Sequence, residues 1–359
     1  MKICAVSDYH YNNKRENIIL SDIYQINDIN PDVFIYGGDL AQRANMDMRK
    51  CLKVLNKIKA KHKLFVCGNH DIYTGKDNIN RDGSDILIER LLNLEGSNNS
   101  SLLQYQKHLG DLVRSCGFHY LDSGPKIING VGFVGNMGWY DFSMKPETIK
   151  DGVFFKQNDL QKRFSWQEFT KTQLDKKYAI MVEVNLSKTE IAQRKIKLFS
   201  DKHNLHFIGN INLRNIVLET SGDFGKEYFS SLVTHTPLTY SDRTNVFLGM
   251  SDENFLRTRI NKIRSSLDLV HKQCDLIIFA SHMLPFKEGV IINEDDVGMC
   301  FRAVYNGSTA IGELLLEYEK VRYALHGHYI NTEGEYSVGS VTCINIHHHE
   351  GKKPVVIDI

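Results

Sequence analysis

Five short stretches of the sequence carry side chains that bind metal ions. Each places an aspartate, asparagine or histidine at or just beyond the end of an apolar run. Carboxylate, imidazole and amide donors in one set suit Mn, Fe or Zn better than Ca, which prefers oxygen donors alone. The stretches are Asp8-Tyr9-His10, Gly38-Asp39, Gly68-Asn69-His70-Asp71, Ser281-His282 and Gly327-His328.

The apolar runs before the first three stretches have the length of buried strands. KICAVS (2–7), DVFIYG (32–37) and KLFVC (63–67) alternate with segments 14–29 and 45–60, where apolar residues recur at helical spacing. This alternation predicts a parallel sheet covered by helices. Because ligands bind at the carboxyl ends of such strands, we expect the polar stretches to meet at one edge of the sheet.

The same alternation returns late in the chain. Residues 252–272 and 308–320 are predicted helices, and DLIIFAS (275–281) and VRYAL (321–325) are predicted strands. Earlier, KIINGVGFVGN (126–136) predicts a hairpin that turns at Asn129-Gly130.

The middle of the chain does not continue this pattern. Residues 155–243 are interpreted as an α+β insertion or cap. The predicted organisation is therefore a core formed by residues 1–154 and 244–359, interrupted by that insertion.

Taken in order, the five stretches resemble the signature of the calcineurin-like metallophosphoesterase superfamily, which reads DxH, GD, GNH[DE], a lone H and GHxH. The resemblance covers roughly residues 1–145 and 244–346, and its first three blocks are the most specific. It implies an α/β fold in which two sheets form a sandwich flanked by helices.

The resemblance also implies a cofactor and a role for each residue. Two divalent ions (Mn, Fe or Zn) would share Asp39 as the bridging ligand. Asp8 and His10 would hold the first ion, and Asn69, His282 and His328 would complete the second. His70 would act on the leaving oxygen as a general acid or by stabilising its charge. Asp71 would orient His70 or cap a helix.

The chemistry expected of such a centre is phosphoester hydrolysis. In such a centre, two metals roughly 3.5–4 Å apart share a carboxylate, and a hydroxide that bridges them attacks phosphorus. The substrate would be a small phosphodiester or phosphomonoester, with nucleotides among the candidates. If the chain is extended from Asp8 to His10, residues two apart project to the same side, so both can reach one ion.

Several histidines leave alternatives open. Ile330 stands where the family has the second histidine of GHxH, and an isoleucine cannot bind metal. His326 is a candidate substitute. His235 in LVTHTPL competes with His282 for the lone-histidine block, although SHMLPF (281–286) matches better because it follows a predicted helix and strand. The triplet His347-His348-His349 is either a metal ligand set or a partly exposed turn.

An aromatic segment and a missing motif also bear on the substrate. GNMGWYDFS (135–143), with Trp139 and Tyr140, would either line a cleft or belong to the core. GDLAQR lacks the second aspartate and closing glycine of the GDxxDRG pattern of phosphoprotein phosphatases, which disfavours that activity.

Two competing hypotheses come from other functional classes. A catalytically weakened homologue would bind a nucleotide or a protein as a scaffold, and Ile330 is the only residue that supports it. A nuclease would grip nucleic acid with the insertion. The balance of 44 basic against 43 acidic residues and the lack of an aromatic-basic stripe make nucleic acid an unlikely partner.

Composition and cysteine usage predict a cytoplasmic enzyme. MKICAVSD turns polar too early for a signal peptide, and no apolar run approaches the roughly 20 residues of a membrane span. The seven cysteines are dispersed without a CxxC motif, which is typical of reduced thiols. The sequence does not predict an oligomeric state.

Overall fold

The structure is a computed structural model of the 359-residue chain. It describes residues 1–41, 46–74, 100–144, 155–157, 179–183, 205–208, 215–220, 235–237, 242–292, 302–329, 331–332, 334–349 and 351–359. For the five short segments between 155 and 237, the description covers the backbone only.

The described residues form strands and helices in the predicted alternation. The strands are β1 (Lys2–Val6), β2 (Val33–Tyr36), β3 (His62–Phe65), β4 (His119–Tyr120), β5 (Lys126–Ile128), β6 (Val131–Asn136), β7 (Phe155–Gln157), β8 (Ala179–Glu183), β9 (Leu205–Ile208), β10 (Asn215–Thr220), β11 (His235–Pro237), β12 (Leu276–Ser281), β13 (Val321–His326), β14 (Glu335–Val338), β15 (Val341–Asn345) and β16 (Val355–Asp358). The helices are α1 (Glu16–Ile29), α2 (Met46–Leu55), α3 (Ser100–Leu103), α4 (Leu109–Ser115), α5 (Asp242–Asn245), α6 (Asp252–His271) and α7 (Thr309–Leu316). A π-helical turn, Gln104–His108, joins α3 to α4, and 3-10 turns occupy His70–Ile72 and Lys287–Gly289.

The first sheet has the strand order β16-β1-β2-β3-β4. β1 to β4 run parallel, and β16 closes one edge antiparallel to β1. The crossover helix α1 buries Ile19, Ile23 and Ile26 along one face, which is the helical spacing that the sequence predicted. The predicted parallel sheet is confirmed, and the carboxyl ends of β1, β2 and β3 lie at the same edge.

The second sheet has the strand order β14-β15-β13-β12-β6-β5. Its four central strands are parallel, and the outer strands β14 and β5 are antiparallel to their neighbours. The predicted hairpin is confirmed: β5 and β6 are joined at Asn129 and Gly130, whose φ angles of 49° and 79° are typical of a tight hairpin turn. Helix α7 ends at Leu316, earlier than the predicted residue 320.

The two sheets pack face to face, and helices cover their outer faces. Alternate residues of a strand point to opposite faces, and this rule separates two apolar layers in the molecule. Ile3 and Ile35 of the first sheet pack in one buried cluster with Phe133 and Ile278 of the second sheet. The remaining strand positions, such as Phe34, belong to the other cluster, which includes the helical residues. The predicted α/β sandwich is therefore confirmed.

The segments between 155 and 237 contain only short strands. β8, β10 and β9 form a three-stranded antiparallel sheet, and β7 pairs with β11. The interpretation of 155–243 as an α+β insertion or cap stays a prediction, and its predicted helix at 187–203 lies outside the described residues. Among the described helices, none is both long and apolar enough to cross a bilayer.

Candidate metal centre

The polar stretches that follow β1, β2, β3, β12 and β13 meet at one edge of the sandwich. Backbone hydrogen bonds tie the loops together: the Asp8 amide donates to the Gly38 carbonyl at 2.9 Å, and the Gly327 amide donates to the His282 carbonyl at 3.1 Å. The six predicted metal ligands therefore come from five strand ends into a single cluster, as the strand-end argument predicted.

The backbone of this cluster is left-handed at four ligand positions. Asp8, His10, Asp39 and His328 have φ angles of 60°, 43°, 58° and 67°. The expectation of an extended segment from Asp8 to His10 is therefore wrong, because β1 ends at Val6. A non-glycine residue in this region costs about 1–3 kcal/mol, and such strain concentrates at functional sites.

One half of the cluster, here called the second site, gathers four donor atoms. They are Asp39 Oδ1, Asn69 Oδ1, His282 Nε2 and His328 Nδ1. Asn69 Oδ1 lies 2.9 Å from His282 Nε2 and 3.2 Å from His328 Nδ1, and the two imidazole nitrogens are 3.2 Å apart. Asp39 Oδ1 is 3.4 Å from His282 Nε2. The Nδ1 of His282 lies 2.9 Å from the Gly37 carbonyl, which leaves Nε2 directed into the site.

The other half, here called the first site, contains Asp8, His10 and the second oxygen of Asp39. His10 Nε2 lies 3.9 Å from Asp8 Oδ1 and 3.6 Å from Asp39 Oδ2. Asp39 thus directs one oxygen to each site, as its predicted role of bridging ligand requires. The Asp8 and Asp39 side chains are almost fully buried, whereas that of His10 is 22% exposed.

The two buried aspartates of the cluster favour a positive charge beside them. Burial alone would raise the pKa of Asp39, but His282 and His70 hold that pKa well below its usual range. Burial would lower the pKa of His282, yet Asp39 and Asp8 raise it to about 10. Burial and, to a smaller extent, the neighbouring His282 lower the pKa of His328 to about 3. Without metal, a buried imidazolium is thus the partner of two buried carboxylates.

Two motif glycines are required by the close approach of the ligands. A Cβ at Gly68 would collide with the Asp39 carboxylate, and a Cβ at Gly327 would collide with Asp8 Oδ2 and the Ser7 hydroxyl. The glycines of GNHD and GH therefore keep space for the two aspartates.

His70 lies beside the first site, but Asp71 does not hold it. The His70 ring packs edge-on against His10 at 4.6 Å between centroids and stacks on Tyr73 at 4.3 Å. Its Nε2 is 4.0 Å from Asp39 Oδ2, and burial lowers the pKa of the ring. Asp71 instead accepts the backbone amides of Gly68, Asp39 and Leu40 at 2.8–3.0 Å, so it fixes the two loops that carry Asp39 and Asn69.

Two supporting residues were missed by the sequence reasoning. Asp242 Oδ1 accepts Asn69 Nδ2 at 2.7 Å and the Tyr73 hydroxyl at 2.6 Å, which turns the Asn69 oxygen toward the second site. The Ser7 hydroxyl donates to Asp8 Oδ2. Asp242 is 173 positions from Asn69 and belongs to no motif, whereas Ser7 directly precedes the first stretch.

The open alternatives for the remaining histidines are resolved unevenly. His282 lies in the cluster, and His235 lies in β11, outside the residues whose side chains are described. Ile330 is also outside the described residues. Trp139 and Tyr140 are fully buried and stack on each other at 4.6 Å, so they belong to the core and do not line a cleft.

The residues of the cluster fit two divalent metal ions. Asp39 lies among donors from both sites: its carboxylate is within 4.8 Å of donor atoms of Asp8 and His282 in one group, and of His10 and the rim residue His70 in another. Asp8 Oδ1 is buried and, within the described chain, has no hydrogen-bond partner, which leaves it available to a cation. The mixture of imidazole, carboxylate and amide donors is the set that Mn, Fe and Zn accept.

Comparison with known proteins agrees with this geometry. The family model described as calcineurin-like phosphoesterase matches residues 1–330. No curated protein matches the sequence.

Three solved structures were matched to the chain, and the first of them is similar to it in fold. The phosphopantetheinyl hydrolase of Mycobacterium tuberculosis is 14% identical, with 97% of this chain and 89% of that one covered and a TM-score of 0.51. A dimetal phosphatase of Danio rerio is 12% identical, with 96% and 86% covered and a TM-score of 0.38. GAP50, the anchor in the inner membrane complex of Plasmodium, is 10% identical, with 99% and 76% covered and a TM-score of 0.34.

Proposed function

This chain belongs to the calcineurin-like phosphoesterase family, and from that premise we propose that it hydrolyses a small phosphate ester at a centre holding two divalent cations. The observation that carries the proposal is the position of Asp39, whose two oxygens face different groups of donors at 3.4 and 3.6 Å. A shared carboxylate is the arrangement that a two-metal site requires.

The chain's own residues divide the work of that centre. Asp8, His10 and Asp39 would hold the first ion, and Asp39, Asn69, His282 and His328 would hold the second. Cations bound there would polarise a phosphate ester and acidify water near neutral pH. Asp71 fixes the two loops that carry Asp39 and Asn69, and Asp242 keeps the amide oxygen of Asn69 directed toward the second site.

His70 is proposed to act on the leaving group. Its side chain is 24% exposed at the rim of the centre and is oriented by stacking on Tyr73. From that position the ring would donate a proton or a hydrogen bond to the leaving oxygen of the ester. The proposal makes His70 a catalytic residue that does not bind metal.

The proposed substrate is a small phosphodiester or phosphomonoester, with nucleotides included. The partly exposed side chains at the first site are imidazoles, and the overall charge of +1 provides no general attraction for a polyanion. Mn, Fe and Zn are the proposed metals because each accepts this mixed donor set.

The metal dependence of hydrolysis, measured with two chromogenic esters, tests the proposal. We expect metal-stripped protein to hydrolyse bis-(4-nitrophenyl) phosphate or 4-nitrophenyl phosphate only after Mn²⁺ is restored. Asp39→Asn, purified in the same way, is the control for contaminating phosphatases. If the wild type and the variant have equal rates, or if none of Mn²⁺, Fe²⁺ and Zn²⁺ restores turnover, the proposal is wrong and a scaffold role is favoured.

A further inference from the structure

The first site has fewer protein donors than the second. Asp8, His10 and Asp39 supply three atoms, whereas four atoms of the second site lie within 3.4 Å of a neighbouring donor. In the sequence, Ile330 stands where the family motif has a further histidine. The first site therefore lacks a ligand unless another part of the chain provides one.

A histidine from the C-terminal region occupies the open side of Asp8. His347 Nε2 lies 3.8 Å from Asp8 Oδ1, and His10 Nε2 lies 3.9 Å from the same oxygen. Metal–ligand bonds of about 2.0–2.2 Å place the donors of one ion roughly 3–4 Å apart. Both separations match that spacing.

The Asp8 carboxylate is prepared for a cation between these rings. Its Oδ2 accepts the Ser7 hydroxyl and, at 3.1 Å, the His328 amide. Its Oδ1 is buried and has no hydrogen-bond partner among the residues the structure describes. The one oxygen that the protein leaves unused is thus the oxygen that two imidazole nitrogens approach.

The fold fixes His347 in this position. The chain leaves β15 and runs beside the end of β1, where Ser7 and His347 form a parallel bridge. The Ser7 amide donates to Ile346 at 3.0 Å, the His348 amide donates to Ser7 at 3.1 Å, and the His347 amide donates to Asn345 Oδ1 at 2.8 Å. The side chain is 14% exposed, so its position is set by packing and backbone pairing.

The neighbouring histidines are engaged elsewhere. His326 Nε2 lies 3.4 Å from the Tyr336 hydroxyl, and His348 Nδ1 lies 3.2 Å from Asp22 Oδ2 while its ring packs against Tyr9. His349 is exposed. Of the triplet and His326, only His347 forms a described contact with a metal-site carboxylate.

We propose that His347 is a ligand of the first metal ion and supplies the imidazole that Ile330 cannot. The proposal deepens the proposed function, because it completes the same centre with a residue that follows β15 in place of the motif position. It would make the first site a set of one carboxylate, two imidazoles and the shared Asp39.

Metal binding, measured apart from catalysis, tests this assignment. Metal-free wild type, His347→Ala and His347→Gln are titrated with Mn²⁺ by calorimetry, and bound Mn²⁺ is examined by EPR. We expect two ions and a spin-coupled signal in the wild type. Both variants should keep the tight ion of the second site. Their affinity for the ion of the first site should fall by at least about 100-fold, since even indirect support of a ligand is worth 10–100-fold. The coupled signal should then disappear.

The controls separate this proposal from the wider one. His349→Ala changes an exposed neighbour of the same type and should bind two ions as the wild type does. His347→Gln keeps most of the side-chain volume, and circular dichroism reports whether either variant is folded. Two ions of unchanged affinity in a folded His347 variant would overturn the ligand assignment alone, even if the KM for an ester rose. A wild type that binds no metal would overturn both proposals.

Discussion

The second site is more enclosed by the protein than the first, which is open to solvent on the side of His10, although His328 of the second site is itself only partly buried. Asn69 and His282 are at most 1% exposed, and the donor atoms of the second site are 2.9–3.4 Å from their neighbours. In the first site, His10 is 22% and His347 14% exposed, and the separations are 3.6–3.9 Å. The second site is therefore preorganised for an ion, while the first must contract around one.

This difference has a physical cause in the strands. The ligands His282 and His328 follow the central strands β12 and β13. His282 donates a hydrogen bond to the Gly37 carbonyl and Asn69 donates one to the Asp242 carboxylate, and these bonds fix the two side chains. The first site lies where the two sheets are joined by the bridge between Ser7 and His347. We expect the enclosed site to hold its ion more tightly, and the open site to provide access for the phosphate group.

The largest expected effect comes from the residue that both sites share. Asp39→Asn keeps the shape of the side chain but removes the charge that both cations require. Without the metals, the transition state would lose several kcal/mol of charge stabilisation, which corresponds to a decrease of at least about 1000-fold in kcat/KM. Elemental analysis should show that both ions are lost together.

Retention of one ion at full occupancy by Asp39→Asn would contradict the shared role. The two sites would then bind their ions independently, each through its own aspartate.

His70→Asn tests whether the open side performs the acid step. For an ester with an alkyl leaving group, whose oxygen must be protonated, we expect kcat to fall about 100-fold or more, within the usual range for loss of a general acid. Because the His70 ring lies 4.0 Å from Asp39 without being needed as a ligand, the content of both metals should stay at the wild-type value. Parallel measurement of kcat and of bound Mn²⁺ distinguishes this role from ligation.

A substrate with a better leaving group provides the control for His70. Hydrolysis of an ester whose leaving oxygen needs no proton should be much less affected by His70→Asn. An equal loss for both esters would place the effect of His70 elsewhere in the reaction.

Asp242→Ala should weaken the second site alone. The variant removes the acceptor at 2.7 Å from Asn69 Nδ2, so the amide is free to rotate its oxygen away from the ion. Loss of such a supporting hydrogen bond typically costs 10–100-fold in metal affinity. Calorimetric titration with Mn²⁺ should show this decrease for the tighter of the two ions.

Asp242→Asn is the matched variant, because its side-chain oxygen can still accept the hydrogen bond. It should recover much of the lost affinity. If Asp242→Ala lowered the affinity of the weaker ion instead, the assignment of the enclosed site as the tighter one would be wrong.

The local order of strands and helices predicted the fold and the edge of the sheet where the polar residues meet, whereas the roles of the six proposed ligands came from the family resemblance. A strand followed by Asp8, Asp39 or Asn69 is a short-range pattern, and parallel strands bring such ends together whatever the loops do. The left-handed backbone at Asp8 and His10 was not predictable in this way, because it results from hydrogen bonds to the loop after β2.

The supporting residues depend on contacts between distant parts of the chain. Asp242 and Asn69 lie on opposite sides of the predicted insertion in the sequence, 173 positions apart, and Asp242 belongs to no motif. His347 was visible as one of three histidines, but its contact with Asp8 requires β15 to continue beside β1. The spacing of residues along the chain does not predict the contact of Asp242 with Asn69 or that of His347 with Asp8, so only the tertiary structure reveals them.

The smallest expected effect is thermal. Binding stabilises the folded state by about 2.7 kcal/mol at a ligand concentration 100 times Kd, which for a chain of this size raises Tm by roughly 3–4 °C. Because the enclosed site binds first, Tm should rise in two steps as Mn²⁺ is added to metal-free protein. His282→Ala should abolish the early step, and His10→Ala should abolish the late one. A single step that both variants reduce equally would show that the two sites fill together, and that their different enclosure does not separate their affinities.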